Sequence, residues 1–137
     1  MTSVIDHTIA HRLAHLRPTL LPQVTDQIAA RIPIVGIDPQ AEEQFALHHR
    51  NMQSTTERFH DLVQVLIDTD WSLLTFEYSW AARVFRPMGI TWEHQVSLID
   101  AYFTTARRLE HWNAEELAEL DTLAERLRVD GEHAYNA

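Results

Sequence analysis

Apolar side chains recur three and four apart over the first part of the chain, at Ile5, Ile9, Leu13, Leu16, Leu20, Val24, Ile28 and Ile32. That spacing holds them on one face of an amphipathic helix, with Ser3 or Thr2 placed to cap its start. Pro18 and Pro22 interrupt the stripe. Each removes a backbone donor and crowds the preceding turn, so the pattern predicts either two helices meeting near residues 17–22 or one kinked helix. Residues 33–39, reading PIVGIDP, form a connector in which Asp38 caps the next helix and Pro39 takes its first position.

The second helix is predicted from Pro39 to Ile67. Phe45, Met52, Phe59 and Leu66 stand seven apart, and Thr56, Val63 and Ile67 fill the same face. Asp70 is the expected cap of a third helix, Trp71 to Arg86, which is apolar nearly all round. Pro87-Met88-Gly89 ends it. Thr91 starts a fourth helix with Trp92, Val96, Ile99, Tyr102, Phe103, Ala106 and Leu109 on one side. Asn113 with Glu116 makes a capping box for a fifth, whose seam of Leu117, Leu120, Ala124 and Leu127 ends at Arg128. Gly131 is the expected stop, with the residues after it frayed. These elements make an all-α bundle of about five to six helices in a single domain spanning residues 1–137.

Composition agrees with that reading. Hydrophobic residues are 45% and charged residues 23% of the chain, a balance that folds, while 3 glycines and 5 prolines are too few for a small protein of many hairpins. The net charge of −9 and the scattering of Arg12/Arg17, Arg50/Arg58, Arg83/Arg86 and Arg107/Arg108 among acids argue against a nucleic-acid partner. The absence of cysteine excludes disulfides, thiolate metal sites, thioether-linked haem and cysteine nucleophiles. The segment MTSVIDHTIAHRL lacks the apolar core of a signal peptide, and no apolar run is long enough to span a membrane. The expected location is the cytoplasm.

Histidine is the compositional oddity, with nine in the chain. His7, His11 and His15 line one helical face turned away from the apolar stripe, so they are expected in solvent rather than around a metal. His48 and His49 both fall near the apolar face of the second helix, and one of them should point inward. An inward imidazole among Phe, Met and Trp side chains serves as an axial haem ligand, as a hydrogen-bonding group for a bound small molecule, or as a core residue tied to a neighbour. Glu77 lies on the apolar stripe of the third helix and needs a partner there, with Arg107, His48 and His49 the candidates. Glu57 and His60 form one Glu-x-x-His, whereas a di-iron carboxylate bundle needs two such motifs and two further glutamates. No Gly-rich phosphate loop, HExxH or Gly-x-Ser-x-Gly elbow is present, and the expectation is a non-enzymatic protein.

Aromatic side chains crowd the third and fourth helices. The third cannot hide both faces unless a subunit or another helix covers its Phe76/Trp80 side. A homodimer is therefore expected, with Phe76, Trp80, Trp92, Leu120 and Leu127 as interface candidates and core packing as the competing explanation. The pocket candidates are His48, His49, Met52, Phe59, Glu77 and Tyr78.

The stretch from Asp61 to Leu109, DLVQVLIDTDWSLLTFEYSWAARVFRPMGITWEHQVSLIDAYFTTARRL, has an ordered set of parts. An apolar helix end and an acidic spacer lead into an aromatic helix. Arg83-x-Phe85-Arg86-Pro87-Met88-Gly89-Ile90 follows, then a helix whose Tyr102-Phe103 pair precedes Arg107. This resembles the N-terminal sensor domain of the stressosome scaffold protein RsbR and its relatives, through the junction residues Gly89, Ile90 and Thr91. The resemblance implies a globin-like, dimeric domain without haem. It also implies a signalling protein partner, not identified by it, and either an excised sensor or a stand-alone relative. The expected function is a globin-like sensor domain that dimerises and takes a small ligand near His48, His49 and Glu77. The alternative is a haem-binding globin that senses a diatomic gas through His49 first and His48 next.

Overall fold

The structure, a computed structural model, describes residues 3–34 and 42–137. Among the described residues it is all helical. Its five α-helices are Val4–Arg31 (α1), Glu42–Asp68 (α2), Leu73–Phe85 (α3), Trp92–Leu109 (α4) and Ala114–Tyr135 (α5), with one 3-10 turn at Arg86–Met88. The Asp38/Pro39 start expected for the second helix lies outside the described residues.

Ser3 caps α1, its hydroxyl accepting from the Asp6 N–H at 3.1 Å. Both prolines sit inside this single helix of 28 residues, so of the two alternatives the chain takes one helix rather than two meeting at residues 17–22. A proline inside a helix costs about 3 kcal/mol. The offset comes from Ile9, Leu13, Leu16, Leu20, Val24 and Ile28, buried on both sides of the interruption. α1 packs on α2 and α4, while α5 packs on α3 and α4. α3 therefore leans mainly on α5 and meets α2 only sparingly.

The corners are fixed by local chemistry. Arg12 clasps the α4–α5 corner, reaching Glu116 at 2.8 Å, Glu110 at 3.2 Å and the His111 carbonyl at 2.7 Å, with its guanidinium 4.1 Å from the Trp112 ring centre. The Asn113–Glu116 capping box forms as expected. At the α2–α3 corner Asp70 accepts from the Ser72 N–H at 2.9 Å and the Ser72 hydroxyl at 2.6 Å, which holds its carboxyl below the usual range. Those bonds fold Trp71 and Ser72 into a turn, so α3 begins at Leu73 rather than at Trp71. Gly89 closes the 3-10 turn in the left-handed region, at φ 84°, where glycine alone is unstrained.

Two expectations about burial change. Phe45, in phase with Met52 and Phe59, is 53% exposed, because the first turns of α2 run outside the core. Gly131 does not stop α5, which continues to Tyr135. A Cβ there would stand 2.6 Å from Cη2 of Trp92 and 3.1 Å from Cε2 of Tyr78. Glycine thus serves as a notch, and Tyr135 beyond it is buried with its hydroxyl donating to the Ile90 carbonyl at 2.5 Å.

Gly131→Ala should lower stability even though alanine favours a helix by about 1 kcal/mol over glycine. The added methyl forces Trp92 aside at a cost of about 1–3 kcal/mol, which leaves a net loss of up to about 2 kcal/mol. Urea unfolding should show an earlier midpoint, partly restored when Trp92→Phe is added.

Candidate functional site

The sparse contact between α2 and α3 leaves space. A cavity of about 350 Å³ opens between the end of α1, the middle of α2 and the α3–α4 junction, lined by Ile32, His48, Met52, Phe85, Met88 and Ile90 among others. A smaller one of about 50 Å³ lies further along α2, among Phe59, Leu62, Glu77, Tyr78, Trp80 and Leu98. Thr55, Phe85 and Gln95 line both. Of the six expected pocket residues, His48 and Met52 line the larger cavity, and Phe59, Glu77 and Tyr78 line the smaller one. The larger cavity is at the lower end of the size that small-molecule sites occupy.

His49 is not there. Neighbours on a helix point about 100° apart, so only one of the two histidines faces the gap. His48 is buried, with Nε2 at 3.1 Å from the Ala29 carbonyl. A carbonyl only accepts, so Nε2 carries the proton and Nδ1 is the remaining site on the ring. The His49 side chain is 52% exposed and lies 3.1 Å from the Asp26 carboxylate. It cannot serve as an axial ligand inside the bundle, and His48, the second choice, has Nε2 engaged with the backbone. These residues do not fit haem.

Glu77 finds its partner on α2. Arg58 donates through Nε at 2.5 Å and Nη2 at 3.1 Å, and its guanidinium stacks 4.1 Å from the Trp80 ring centre. The expected partners are elsewhere, Arg107 with Asp121, His48 on Ala29 and His49 on Asp26. Glu77 raises the Arg58 pKa further, so the guanidinium stays charged at any physiological pH. Tyr78, fully buried beside it, has its hydroxyl pushed well up by burial.

His60, read in the sequence only as half of a Glu-x-x-His, is in the core, with Nδ1 at 2.7 Å from the Tyr102 hydroxyl. The signal lay in the positions 56, 60, 63 and 67, which share one stripe with Thr56, Val63 and Ile67. Burial lowers its pKa first and the charge of Arg17 second, while Asp61 acts the other way. With Glu57 it makes no metal site. Among the described residues no group of three His, Asp or Glu is placed to hold an ion, and His7, His11 and His15 are exposed as expected.

Three of the interface candidates belong to the monomer core. Trp92 is buried between Tyr78 and Tyr135, with ring centres at 5.3 and 5.7 Å, and Leu120 and Leu127 are fully covered. They offer no surface to a second subunit. Phe76 is 77% exposed, and Trp80 is half-buried beneath Arg58. Among the described residues no helix is long and apolar enough to cross a membrane. No family model, no curated protein and no solved structure matches the chain.

The His60 imidazole makes stability depend on pH. Its folded pKa lies below the ordinary 6.5, so between those values the unfolded chain binds more protons and stability rises with pH. Urea unfolding from pH 7.5 downward should show stability falling below about pH 6.5. His60→Gln should flatten that part of the profile.

Proposed function

We propose that this chain is a non-enzymatic, globin-like sensor or regulatory module that takes a small, largely apolar ligand into the gap between α2 and α3. The observation that carries the reading is the pair of neighbouring cavities along α2, one lined by His48 and Met52 and the other by Phe59, Glu77 and Tyr78, with Thr55, Phe85 and Gln95 shared between them. The walls are apolar, with His48, Asn51, Ser54, Thr55 and Gln95 as the polar groups that orient a ligand. Occupancy acts by favouring one placement of α3 against α2, since a sensor needs different affinities for two states. The resemblance to the RsbR-type sensor domain supports an unidentified signalling partner as the recipient. The absence of cysteine suits a reducing compartment such as the cytoplasm.

The module acts as a homodimer in this reading. Phe76, with Leu73 three residues before it and also exposed, gives α3 an apolar outer face. Helix three is then the element shared by ligand and partner subunit. A ligand that moves it changes the contact between subunits.

Thermal unfolding in a series of 1-octanol concentrations tests the cavity. The melting temperature should rise to a plateau, and Met52→Trp, which fills the larger cavity, should remove that dependence while leaving the protein folded. A rise without saturation, or an equal rise in the variant, overturns the ligand reading. Light scattering tests the dimer, which should be present for the parent chain and lost in Phe76→Glu. A monomeric parent chain removes the dimer from the proposal.

A further inference from the structure

Six hydroxyls, those of Thr8, Thr55, Thr56, Thr69, Ser97 and Thr122, donate to the carbonyl four residues earlier. Thr25 does not. It is 1% exposed, and its Oγ1 has no hydrogen-bond partner. A buried hydroxyl without a partner is unfavourable and asks for an explanation at its own site.

Thr25 lines a groove of about 320 Å³ between α1 and α2, separate from the α2–α3 gap. Leu21 and the rings of Pro18 and Pro22 form its α1 wall, and Gln53 and Glu57 face them from α2. Pro22 has no N–H, so the Pro18 carbonyl lacks the donor that a regular helix supplies. Glu57 is half-buried and has no ion-pair partner among the described residues. The two basic side chains at the rim already have carboxylate partners, Arg17 with Asp61 at 3.3 Å and His49 with Asp26 at 3.1 Å.

The groove therefore holds an excess of acceptors over donors. It contains an unpaired carboxylate, a helix carbonyl without its donor, the Gln53 amide and a hydroxyl free to accept. An anion meets Glu57 unfavourably. A divalent metal needs several oxygen ligands at fixed geometry, and only one free carboxylate is present. A charged group with several N–H donors on an aliphatic stem fits both halves of the site, its head on the acceptors and its stem along Leu21 and the proline rings. The net charge of −9 draws such a cation in. We propose that the α1–α2 groove at Pro18 and Pro22 is a second binding site, specific for a small aliphatic ammonium ion, in which Thr25, Glu57 and the Pro18 carbonyl hold the ammonium group.

The test is a nuclear magnetic resonance titration of the isotope-labelled full chain with butylammonium chloride, set beside butan-1-ol and sodium chloride at matched ionic strength. The proposal requires saturable shifts at Leu21, Thr25 and Gln53 with butylammonium alone. Glu57→Gln should weaken the binding by about tenfold or more, since it removes a charge-assisted contact. Thr25→Val should also weaken it, yet melt no earlier than the parent chain because the hydroxyl has no bond to lose. Thermal melts of both variants separate lost binding from lost folding. Shifts that do not saturate, shifts reproduced by butan-1-ol or sodium chloride, or affinity unchanged in both variants overturn the site. An earlier melt for Thr25→Val overturns its premise, because the hydroxyl then already has a partner.

Discussion

The approach of α5 to Trp92 at Gly131 is the contact on which the arrangement of the other helices rests. With no side chain at that position, the indole of Trp92 lies against the α5 backbone, and Tyr78 and Tyr135 close on its two sides. Tyr78 belongs to α3, Trp92 to the start of α4 and Tyr135 to the end of α5, so one aromatic cluster joins three helices. Its second tie is polar. The Tyr135 hydroxyl reaches the Ile90 carbonyl, which fixes the α3–α4 junction against the last turn of α5.

That clamp decides where the empty space falls. α3 is held from the α5 side and has little left to offer α2, so the gap between α2 and α3 is a product of the fold rather than a flaw in side-chain packing. What spans the gap is Arg58, bonded to Glu77 and stacked on Trp80, with much of its side chain in water. Ion pairs so exposed contribute about 0–1 kcal/mol. Toward α4 the contacts of α2 are of another kind. Phe59 packs edge-on against Tyr102 at 5.1 Å, and the buried His60 meets the Tyr102 hydroxyl, which together fix α2 to α4. α2 is thus seated chiefly on α1 and only loosely latched to α3.

Local rules made the helices legible, because periodicity, capping boxes and proline positions act within a few residues. Ser3, Gly89, Asn113 and the long apolar stripes all behave as their neighbours dictate. Tertiary contacts were not legible in the same way. Gly131 carries the composition of a stop signal, and only the position of Trp92 turns it into a notch. A buried Trp92 and an interfacial one have the same sequence, so residues of the core and of a subunit contact were pooled. His48 and His49 both border the apolar face of α2, and the choice between them depended on the last turn of α1, where the Ala29 carbonyl meets His48. The partner of Glu77 was sought on other helices or among histidines, although Arg58 stands on the same α2 face as the expected pocket. An apolar stripe broken by His48 and Glu77 marks where polar groups enter a core, and both side chains do line cavities there.

The length of α1 gives these separate features a common axis. Its end near Ala29 borders the larger cavity through His48, and its beginning near Arg12 clasps the corner from which α5 starts. Seventeen residues of helix between those points amount to about 25 Å. The two missing rungs of its hydrogen-bond ladder, at Pro18 and Pro22, lie midway along that span. A strut with its softest section at the centre behaves as a hinged beam. Load applied at one end is taken up first in the middle, where the groove between α1 and α2 lies.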